Sequence, residues 1–336
     1  MSKSPTYALD GNRFAPTPTG ALHLGNMRTA LVAYLAARSG GQRFILRMDD
    51  LDPQAVKAGA IKQQLDDLKW LGLEFDEGPR EGGDFGPYAQ SKRFKHYTHV
   101  LEQLNDMSLL YPCWCSRKEV MAAAQAPHAS DEGPIYPGTC RPESPKKLAS
   151  LDDLPQRNGR IPALRINVSS ALEQMSLRKL SYQDLVFGPQ RIDPLSEFGD
   201  FVVRRRDGIA SYQLACAFDD FKMACGLVLR GSDLRLSTGR QLLFFHLMQW
   251  QTPQYAHIGL VLDSEGNRLS KREHSISIAS MRAHGVHARD ALRVLSGTLN
   301  MQNTSDLSVM VNQFVLDERL QNPVRLPSQL PWGRYT

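Results

Sequence analysis

The sequence predicts an α/β protein built around a doubly wound parallel sheet. Strand and helix signals alternate with short connections over residues 1–106, and strand signals return over residues 163–262. Because parallel strands need crossover connections that are usually helices, this alternation is typical of a sheet covered on both faces. Residues 107–162 interrupt the pattern and residues 263–336 follow it, so we expect four segments along the chain.

The first segment holds one half of a nucleotide-binding, Rossmann-type domain. Residues 13–15 form a short predicted strand, and residues 23–38 carry apolar side chains at helical spacing. Gly40-Gly41 is expected to end that helix. Residues 43–47 predict the next strand, and the apolar spacing of residues 56–71 predicts a second amphipathic helix.

The second segment, residues 107–162, is rich in Pro, Cys and Ser and contains one short predicted helix at 117–125. An insertion of this kind is expected to be a surface module. Strand signals at 163–166, 200–203 and 227–229, with a strong helix signal at 238–250, predict the second half of the parallel-sheet domain. In the last segment we expect a lysine-containing loop, one or two helices and a loosely ordered tail over 323–336.

The composition is that of an ordinary globular protein. Of the 336 residues 42% are hydrophobic, which excludes a disordered or collagen-like chain. The net charge of +5 permits a nucleic-acid partner without requiring one. The N-terminus lacks the apolar core of a signal peptide, and no run approaches the ~20 apolar residues that cross a bilayer. We therefore expect a soluble, cytoplasmic protein with no membrane contact.

A proline-rich turn opens the first predicted helix at the right place for a phosphate. Residues 16–26 follow the first strand, and a helix N-terminus offers unpaired N–H groups with partial positive charge. Gly25 would let a flat adenine or ribose approach the backbone, and His23 could donate a hydrogen bond to developing phosphate charge. The alternative is a turn whose histidine only caps the helix.

A second candidate for phosphate binding lies about two hundred and fifty residues further on. A turn at 263–266 precedes Asn-Arg-Leu-Ser-Lys-Arg at 267–272. A flexible loop that carries a lysine, here Lys271, can close over a triphosphate and stabilise the leaving pyrophosphate. A solvated turn is the alternative interpretation of this short motif.

The two motifs occur in an order and at a separation that resemble a known family. HLGN at 23–26 and RLSKR at 268–272 are similar to the two signatures of class I aminoacyl-tRNA synthetases. RMDDLDP at 47–53, DFVVRRRDGIASYQLA at 200–215 and LRGSDL at 229–234 resemble the glutamyl branch, as does Asp219-Asp220. The resemblance covers residues 11–295 and implies the catalytic core of that class. Residues implied to contact ATP are Pro16, His23, Gly25, Asn26, Leu269, Ser270 and Lys271, with His23 and Lys271 catalytic.

Glutamate has an ammonium group and two carboxylates, so its pocket needs two cations, an acid and hydroxyl groups. Arg13 and Arg230 can bind carboxylates in a bidentate manner, Tyr212 can donate its phenol, and Asp49 can face the ammonium. The resemblance places these positions around the amino acid together with Phe14, Ala15, Pro16 and Thr17. The family usually has glutamate at position 49, and the shorter aspartate requires a shifted amino acid or a bridging water.

The alternative, purely structural interpretations are that each arginine forms a surface ion pair and that Tyr212 is an aromatic residue at the edge of the core. A further basic triplet, residues 204–206, could contact tRNA phosphates, or it could form structural ion pairs at a strand end.

Three cysteines within the insertion predict a zinc site. Cys113, Cys115 and Cys140 can supply thiolates, and the fourth ligand could be Tyr136, His128 or a water. Composition alone favours His128, but the Cys-x-Cys and Tyr-x-x-x-Cys order resembles the zinc site of the glutamyl-Q type of synthetase, which implies Tyr136. Three structural cysteines without a metal are the alternative. We expect one structural Zn²⁺, whereas Cys216 and Cys225 are expected to be buried apolar residues.

Only 65 residues follow Lys271 in the sequence, so we expect no large anticodon-reading domain. This short form resembles the glutamyl-Q type, which implies tRNA-independent activation of L-glutamate by ATP, with Mg²⁺. The glutamyl group is then transferred to queuosine in the anticodon loop of tRNA(Asp). We expect a monomer. Alternatives are a truncated glutamyl-tRNA synthetase, a glutamate-adenylating ligase for a small-molecule amine, and a non-catalytic tRNA-binding module.

Overall fold

A computed structural model gives the fold, and it describes residues 8–123, 134–269, 277–301, 304–327 and 329–334. The helices of these residues are α1 (Leu24–Ser39), α2 (Ala60–Trp70), α3 (Phe94–Asp106), α4 (Arg117–Ala123), α5 (Val168–Gln174), α6 (Pro194–Glu197), α7 (Tyr212–Lys222), α8 (Arg235–Leu247), α9 (Ile278–Ala283), α10 (Ala288–Gly297) and α11 (Leu307–Gln313). The strands are β1 (Gly11–Phe14), β2 (Arg43–Leu46), β3 (Leu110–Cys113), β4 (Ala163–Ile166), β5 (Leu180–Asp184), β6 (Gly188–Ile192), β7 (Val202–Arg204), β8 (Cys225–Gly231), β9 (Gln254–Ile258), β10 (Val261–Leu262), β11 (Val324–Arg325), β12 (Gln329–Leu330) and β13 (Gly333–Arg334). Short 3₁₀ turns occur at Gln90–Lys92, Ser232–Leu234 and Glu318–Gln321.

The main sheet has six strands in the order β2-β1-β8-β9-β5-β6. The first five are parallel, and β6 returns antiparallel beside β5. Successive side chains of a strand point to opposite faces. Accordingly Leu227 and Leu229 of β8 join one apolar core with α1 and α10, whereas Val228 joins a second core with α7 and α8. The predicted parallel sheet with helices on both faces is confirmed.

Helix α1 begins and ends as its sequence predicts. His23 is its N-cap, and its side chain accepts hydrogen bonds from the backbone at residues 25 and 26. Gly40 is the C-cap. Between these caps the helix is buried on most sides, because it packs against strands β1 and β8 on one face of the sheet and against α10 and α11. This burial fixes its N-terminus at the end of β1.

The strands predicted at 163–166 and 200–203 form, but the prediction that they belong to the parallel sheet is wrong. Strand β4 pairs antiparallel with β3 of the insertion and with β7, in a separate three-stranded sheet. Leu164 and Val203 cover the core on one face of this sheet, whereas Tyr111 packs with Cys113 and Tyr136 on the other. The sequence of a short apolar strand does not indicate which strand it pairs with, so the pairing depends on tertiary packing.

Two further expectations are corrected at element ends. The second helix starts at Ala60 and not at 56, because Gly59 has a φ of 74° and the backbone before it forms turns. The tail predicted to be loosely ordered contributes β11, which pairs with β10, and its Leu326 and Leu330 are only 4% and 3% exposed. Apolar side chains that reach the core hold this segment in place. In the described ranges no helix has the length and apolar character needed to cross a membrane.

Candidate functional site

A cleft of about 650 Å³ lies at the carboxyl ends of the parallel strands β1, β8 and β9. Ligands of open α/β sheets bind at this edge. Twelve residues proposed from the sequence line the cleft together: Arg13, Phe14, Ala15, Pro16, Thr17, His23, Gly25, Asn26, Asp49, Tyr212, Arg230 and Leu269. Ser270 and Lys271 lie outside the described residues, as does His128.

The N-terminus of α1 opens onto this cleft through a reciprocal cap. His23 Nδ1 accepts hydrogen bonds from the backbone N–H groups of Gly25 at 3.1 Å and Asn26 at 3.4 Å. The Asn26 side chain accepts in turn from the His23 backbone at 3.3 Å. Because Nδ1 is an acceptor, the neutral ring carries its proton on Nε2. The histidine therefore caps the helix and also presents a donor nitrogen at the cleft, so the two interpretations of the sequence are compatible.

Gly25 leaves little space beside the histidine. A Cβ at position 25 would lie 3.0 Å from His23 Cε1 and 3.1 Å from Nδ1, so a side chain there would displace the imidazole. Gly259, at the end of β9, is closer still to its neighbours, because a Cβ there would lie 2.1 Å from the Asn322 carbonyl oxygen. Because glycine has no Cβ, the backbone at both positions can lie closer to its neighbours than any other residue would allow.

Arg13 is a compensated cation at the floor of the cleft. Its Nε and Nη2 donate to the two carboxylate oxygens of Asp220 at 3.0 and 3.2 Å, and its Nη1 donates to the Leu229 carbonyl at 3.2 Å. Although burial opposes the charged form, Asp220 raises the pKa of Arg13 above its ordinary value. Arg13 and Arg47 lower the pKa of Asp220 to about 2 against the effect of its burial.

Asp49 lines the cleft, and its carboxylate is held in place by Arg47. Arg47 Nε donates to Asp49 Oδ1 at 2.7 Å and Nη1 donates to Asp220 Oδ1 at 2.7 Å. The Cys216 thiol donates to Asp49 Oδ2 at 3.4 Å. Burial raises the pKa of Asp49, and the positive charge of Arg47 opposes that rise. The expectation that Cys216 is a buried apolar residue is thus incomplete, because its thiol borders the proposed amino-acid pocket.

Arg230 differs from Arg13 in its partners. All three of its nitrogens donate to uncharged acceptors: Nη2 to Thr238 Oγ1 at 2.7 Å, Nη1 to Gln241 Oε1 at 2.9 Å, and Nε to His257 Nε2 at 3.2 Å. Within the described ranges no ion pair joins Arg230 to a carboxylate, although the residue is only 4% exposed. Its positive charge is consequently available to a ligand in the cleft that Arg230 lines.

Sequence reasoning missed several residues that shape the site. Arg28 also lines the cleft, with Nη1 donating to the Gly259 carbonyl at 2.7 Å, and burial lowers its pKa to about 10. A charged residue on an otherwise apolar helix is the signal that could have found it. Arg47 was visible as a charge at the end of a buried strand. His257 and Asp184 left no comparable signal, because their roles depend on strand pairing.

The cysteine cluster forms as proposed. The sulfur atoms of Cys113, Cys115 and Cys140 lie within 4.8 Å of one another, and Cys115 and Cys140 are 3.5 Å apart. The Tyr136 phenol oxygen lies 3.4 Å from Cys113 Sγ and 3.5 Å from Cys115 Sγ. Ligand atoms of a tetrahedral zinc thiolate site are separated by about 3.7 Å, so this arrangement fits a metal ion.

Without a cation the Cys115 thiol and the Tyr136 phenol would stay protonated. Burial raises the pKa of Cys115 to about 11 and moves the pKa of Tyr136 well above its usual range. A bound metal would favour the anionic forms. The cluster is also joined to the strands behind it, because Arg206 donates to the carbonyl oxygens of Trp114 and Cys115 at 2.7 and 3.0 Å.

The basic triplet at 204–206 has protein partners. Arg205 pairs with Asp52 and Asp207, and Arg204 pairs with Asp152 and contacts the Leu151 carbonyl. Together with the contacts of Arg206, these bonds support the structural interpretation of the triplet. A contact with tRNA phosphates, the alternative interpretation, would have to use the parts of these side chains that remain exposed.

The cleft and the fold define a class I synthetase catalytic domain. The family model described as tRNA synthetases class I (E and Q), catalytic domain, matches residues 11–315, and the chain belongs to this family of ligases.

Among curated relatives, a Glutamyl-Q tRNA(Asp) synthetase of Symbiobacterium thermophilum is 42% identical over 94% of this chain and 96% of its own length. A protein of the same name from Nitratidesulfovibrio vulgaris is 41% identical over 90% of this chain and 87% of its own. The solved glutamate-tRNA synthetase of Elizabethkingia anophelis superposes with a TM-score of 0.76 at 26% identity, over 95% of this chain and 68% of that one.

Proposed function

We propose that this protein activates L-glutamate with ATP and transfers the glutamyl group to queuosine in the anticodon loop of tRNA(Asp). The observation that carries the activation step is the cleft itself. It joins the N-terminus of α1 to the carboxylate of Asp49 and to buried Arg230, which pairs with no carboxylate in the part of the chain that the structure describes. These groups suit an ATP phosphate, an ammonium group and an acidic side chain respectively.

The proposed first step is the formation of glutamyl-adenylate. A glutamate α-carboxylate oxygen attacks the α-phosphorus of ATP, and the bond to the bridging oxygen breaks to release pyrophosphate. His23 donates from Nε2 to the charge that develops on the phosphate, beside the N–H groups of α1. Lys271 neutralises the leaving pyrophosphate, and Mg²⁺ bound with ATP supplies further positive charge.

In the second step the cyclopentene hydroxyl of queuosine attacks the glutamyl carbonyl, the bond to the AMP phosphate breaks, and an ester forms with release of AMP and the hydroxyl proton. No protein nucleophile is needed, because the cleft holds the two reactants together. The tRNA substrate is supported by the names of the relatives that are 42% and 41% identical to this chain. Such a protein acts in the cytoplasm, where mature tRNA is found.

We further propose that the cysteine cluster holds one structural Zn²⁺, with Cys113, Cys115, Cys140 and Tyr136 as ligands. The hydrogen bonds from Arg206 to the Trp114 and Cys115 carbonyls would connect this metal-binding loop to the segment that follows β7. Residues 107–162 would then form the module that meets the RNA, between the two halves of the nucleotide-binding domain.

The acceptor is tested by incubating the protein with labelled glutamate, ATP and each of three RNAs. These are tRNA(Asp) with queuosine, the same tRNA without the modification, and tRNA(Glu). We expect label only on the first, and no label with Arg230→Ala. Label on tRNA(Glu) alone would identify a truncated glutamyl-tRNA synthetase and overturn the proposal. Glutamate-dependent ATP–pyrophosphate exchange without labelled RNA would favour a ligase that acts on a small amine.

A further inference from the structure

His257 lies behind Arg230, on the side away from the cleft. The register of β8 and β9 places the two residues directly beside each other, and His257 is completely buried. Arg230 Nε donates to His257 Nε2 at 3.2 Å, and on its other ring nitrogen His257 meets Asp184 at 2.5 Å. Tyr255 stacks parallel to the imidazole, with ring centroids 6.2 Å apart, and so restricts its rotation.

The hydrogen bonds define where each proton lies. A guanidinium group only donates, so His257 Nε2 must be an acceptor. Thr238 Oγ1 accepts from Arg230 and lies 3.0 Å from the same Nε2, to which it gives its single proton. The imidazole is therefore neutral with its proton on Nδ1, which donates to Asp184 Oδ2. Asp184 is fixed in turn, since its Oδ1 accepts from the backbone N–H groups of Val186 and Phe187 at 2.9 and 3.0 Å.

The charges agree with this assignment. Burial lowers the pKa of His257 to about 4, helped by the positive charge of Arg230 and opposed by Asp184, so the ring stays neutral at physiological pH. Burial alone would raise the pKa of Asp184, but the hydrogen bond from His257 lowers it below its ordinary value. A neutral ring thus separates the Asp184 carboxylate from the Arg230 guanidinium.

Arg13 shows the opposite arrangement. A carboxylate, Asp220, contacts its guanidinium directly and balances its charge. Were an acidic residue in the place of His257, Arg230 would be balanced in the same way and would have no charge left for a ligand. The imidazole accepts a hydrogen bond from Arg230 and so orients it without neutralising its charge.

We propose that His257 and Asp184 are positioning residues that fix Arg230 for a substrate carboxylate and so determine the preference for glutamate over its amide, glutamine. The inference rests on the proposed activation of glutamate. A guanidinium held in one orientation and lacking a counter-ion binds a carboxylate in a bidentate manner, whereas an amide offers it only one oxygen. Mobility of Arg230 would weaken the first interaction more than the second.

Two substitutions at position 257 separate positioning from general structure. An asparagine places its amide nitrogen near the position of Nδ1, so His257→Asn keeps a donor for Asp184 but removes the acceptor for Arg230. A glutamine extends its oxygen near the position of Nε2, so His257→Gln retains that acceptor. The readout is glutamate-dependent ATP–pyrophosphate exchange by the full-length protein, with glutamine as the competing substrate.

We expect His257→Asn to raise the KM for glutamate about tenfold to a hundredfold, the usual effect of losing a hydrogen bond to a charged group. The KM for ATP should change less than about twofold, and the kcat/KM ratio of glutamate to glutamine should fall in parallel. His257→Gln should restore most of the loss. His246→Asn is the matched control, because this exposed histidine of α8 does not line the cleft, and its kinetics should equal those of the wild type.

Asp184→Asn supplies a second test that does not depend on the folding of the first variants. An amide at position 184 would donate to Nδ1, which moves the ring proton to Nε2, where it opposes Arg230 Nε–H. This variant should therefore resemble His257→Asn. Equal losses in His257→Asn and His257→Gln, or an unchanged glutamate to glutamine ratio in Asp184→Asn, would overturn the inference. Absence of exchange in the wild-type protein would instead contradict the proposed function.

Discussion

Arg13 and Asp220 form a bidentate ion pair across 207 residues of sequence, with both groups buried in the floor of the cleft. Asp220 Oδ1 also accepts from Arg47 at 2.7 Å, so one carboxylate balances two arginines. Arg47 in turn pairs with Asp49, which reaches the cleft. The proposed amino-acid pocket is thus built on a buried network in which the loss of Asp220 removes the ion-pair partner of Arg13 and one of the partners of Arg47.

The first prediction concerns the contribution of this network to stability. Asp220→Asn leaves Arg13 and Arg47 without their shared carboxylate and should lower the free energy of unfolding at pH 7 by about 3–5 kcal/mol. Because the folded-state pKa of Asp220 is depressed to about 2, its stabilisation is present above the unfolded value near ~4 and is lost as the pH falls toward 2. The difference between variant and wild type should shrink over that window.

Urea unfolding at pH 7 and at lower pH measures this difference. Asp52→Asn is the control, since its pair with Arg205 is partly exposed and should contribute much less. Equal stability of the wild type and Asp220→Asn at pH 7 would contradict the network.

The second prediction separates the two roles of His23. Asparagine is a favourable N-cap, so His23→Asn should keep the stability of the protein within about 0.5 kcal/mol. It removes the Nε2–H donor, and the rate of ATP–pyrophosphate exchange should fall about a hundredfold. His287→Asn is the matched control, because this exposed N-cap of α10 does not line the cleft. Normal exchange in His23→Asn would show that this histidine only caps the helix.

The third prediction tests Asp49. Asp49→Ala should abolish glutamate-dependent exchange, because the carboxylate proposed to bind the ammonium group is lost. Asp49→Glu should retain exchange, since it keeps the charge one methylene further out. Asp50→Asn is the control, as its carboxylate bonds to Ser91 and does not line the cleft. Near-normal exchange by Asp49→Ala would remove this residue from the site.

The fourth prediction concerns the metal ligands. Tyr136→Phe removes the phenol oxygen that lies 3.4 Å from Cys113 Sγ and should weaken zinc binding by at least about tenfold. Metal content and competition with a chromophoric chelator measure the affinity. Tyr111→Phe is the control, because this buried tyrosine of β3 donates to Asp200 at 2.6 Å and not to the cluster. Unchanged affinity in Tyr136→Phe would assign the fourth position to another ligand or to water.

The sequence by itself determined the local features of this protein. The cap and apolar spacing of α1, the alternation of strands and helices, and the close spacing of Cys113 and Cys115 all follow from residues near one another in the chain. Local propensity and periodicity act over a few residues, so they can be recognised without the fold.

Only the tertiary structure decided which distant residues meet. It paired β4 with β3 of the insertion and not with the parallel sheet, and it placed Asp220 against Arg13 while it placed neutral His257 against Arg230. Both arginines look alike in the sequence. Whether a buried charge is balanced or left for a ligand depends on the groups that packing brings within a few ångströms, and no local pattern records that choice.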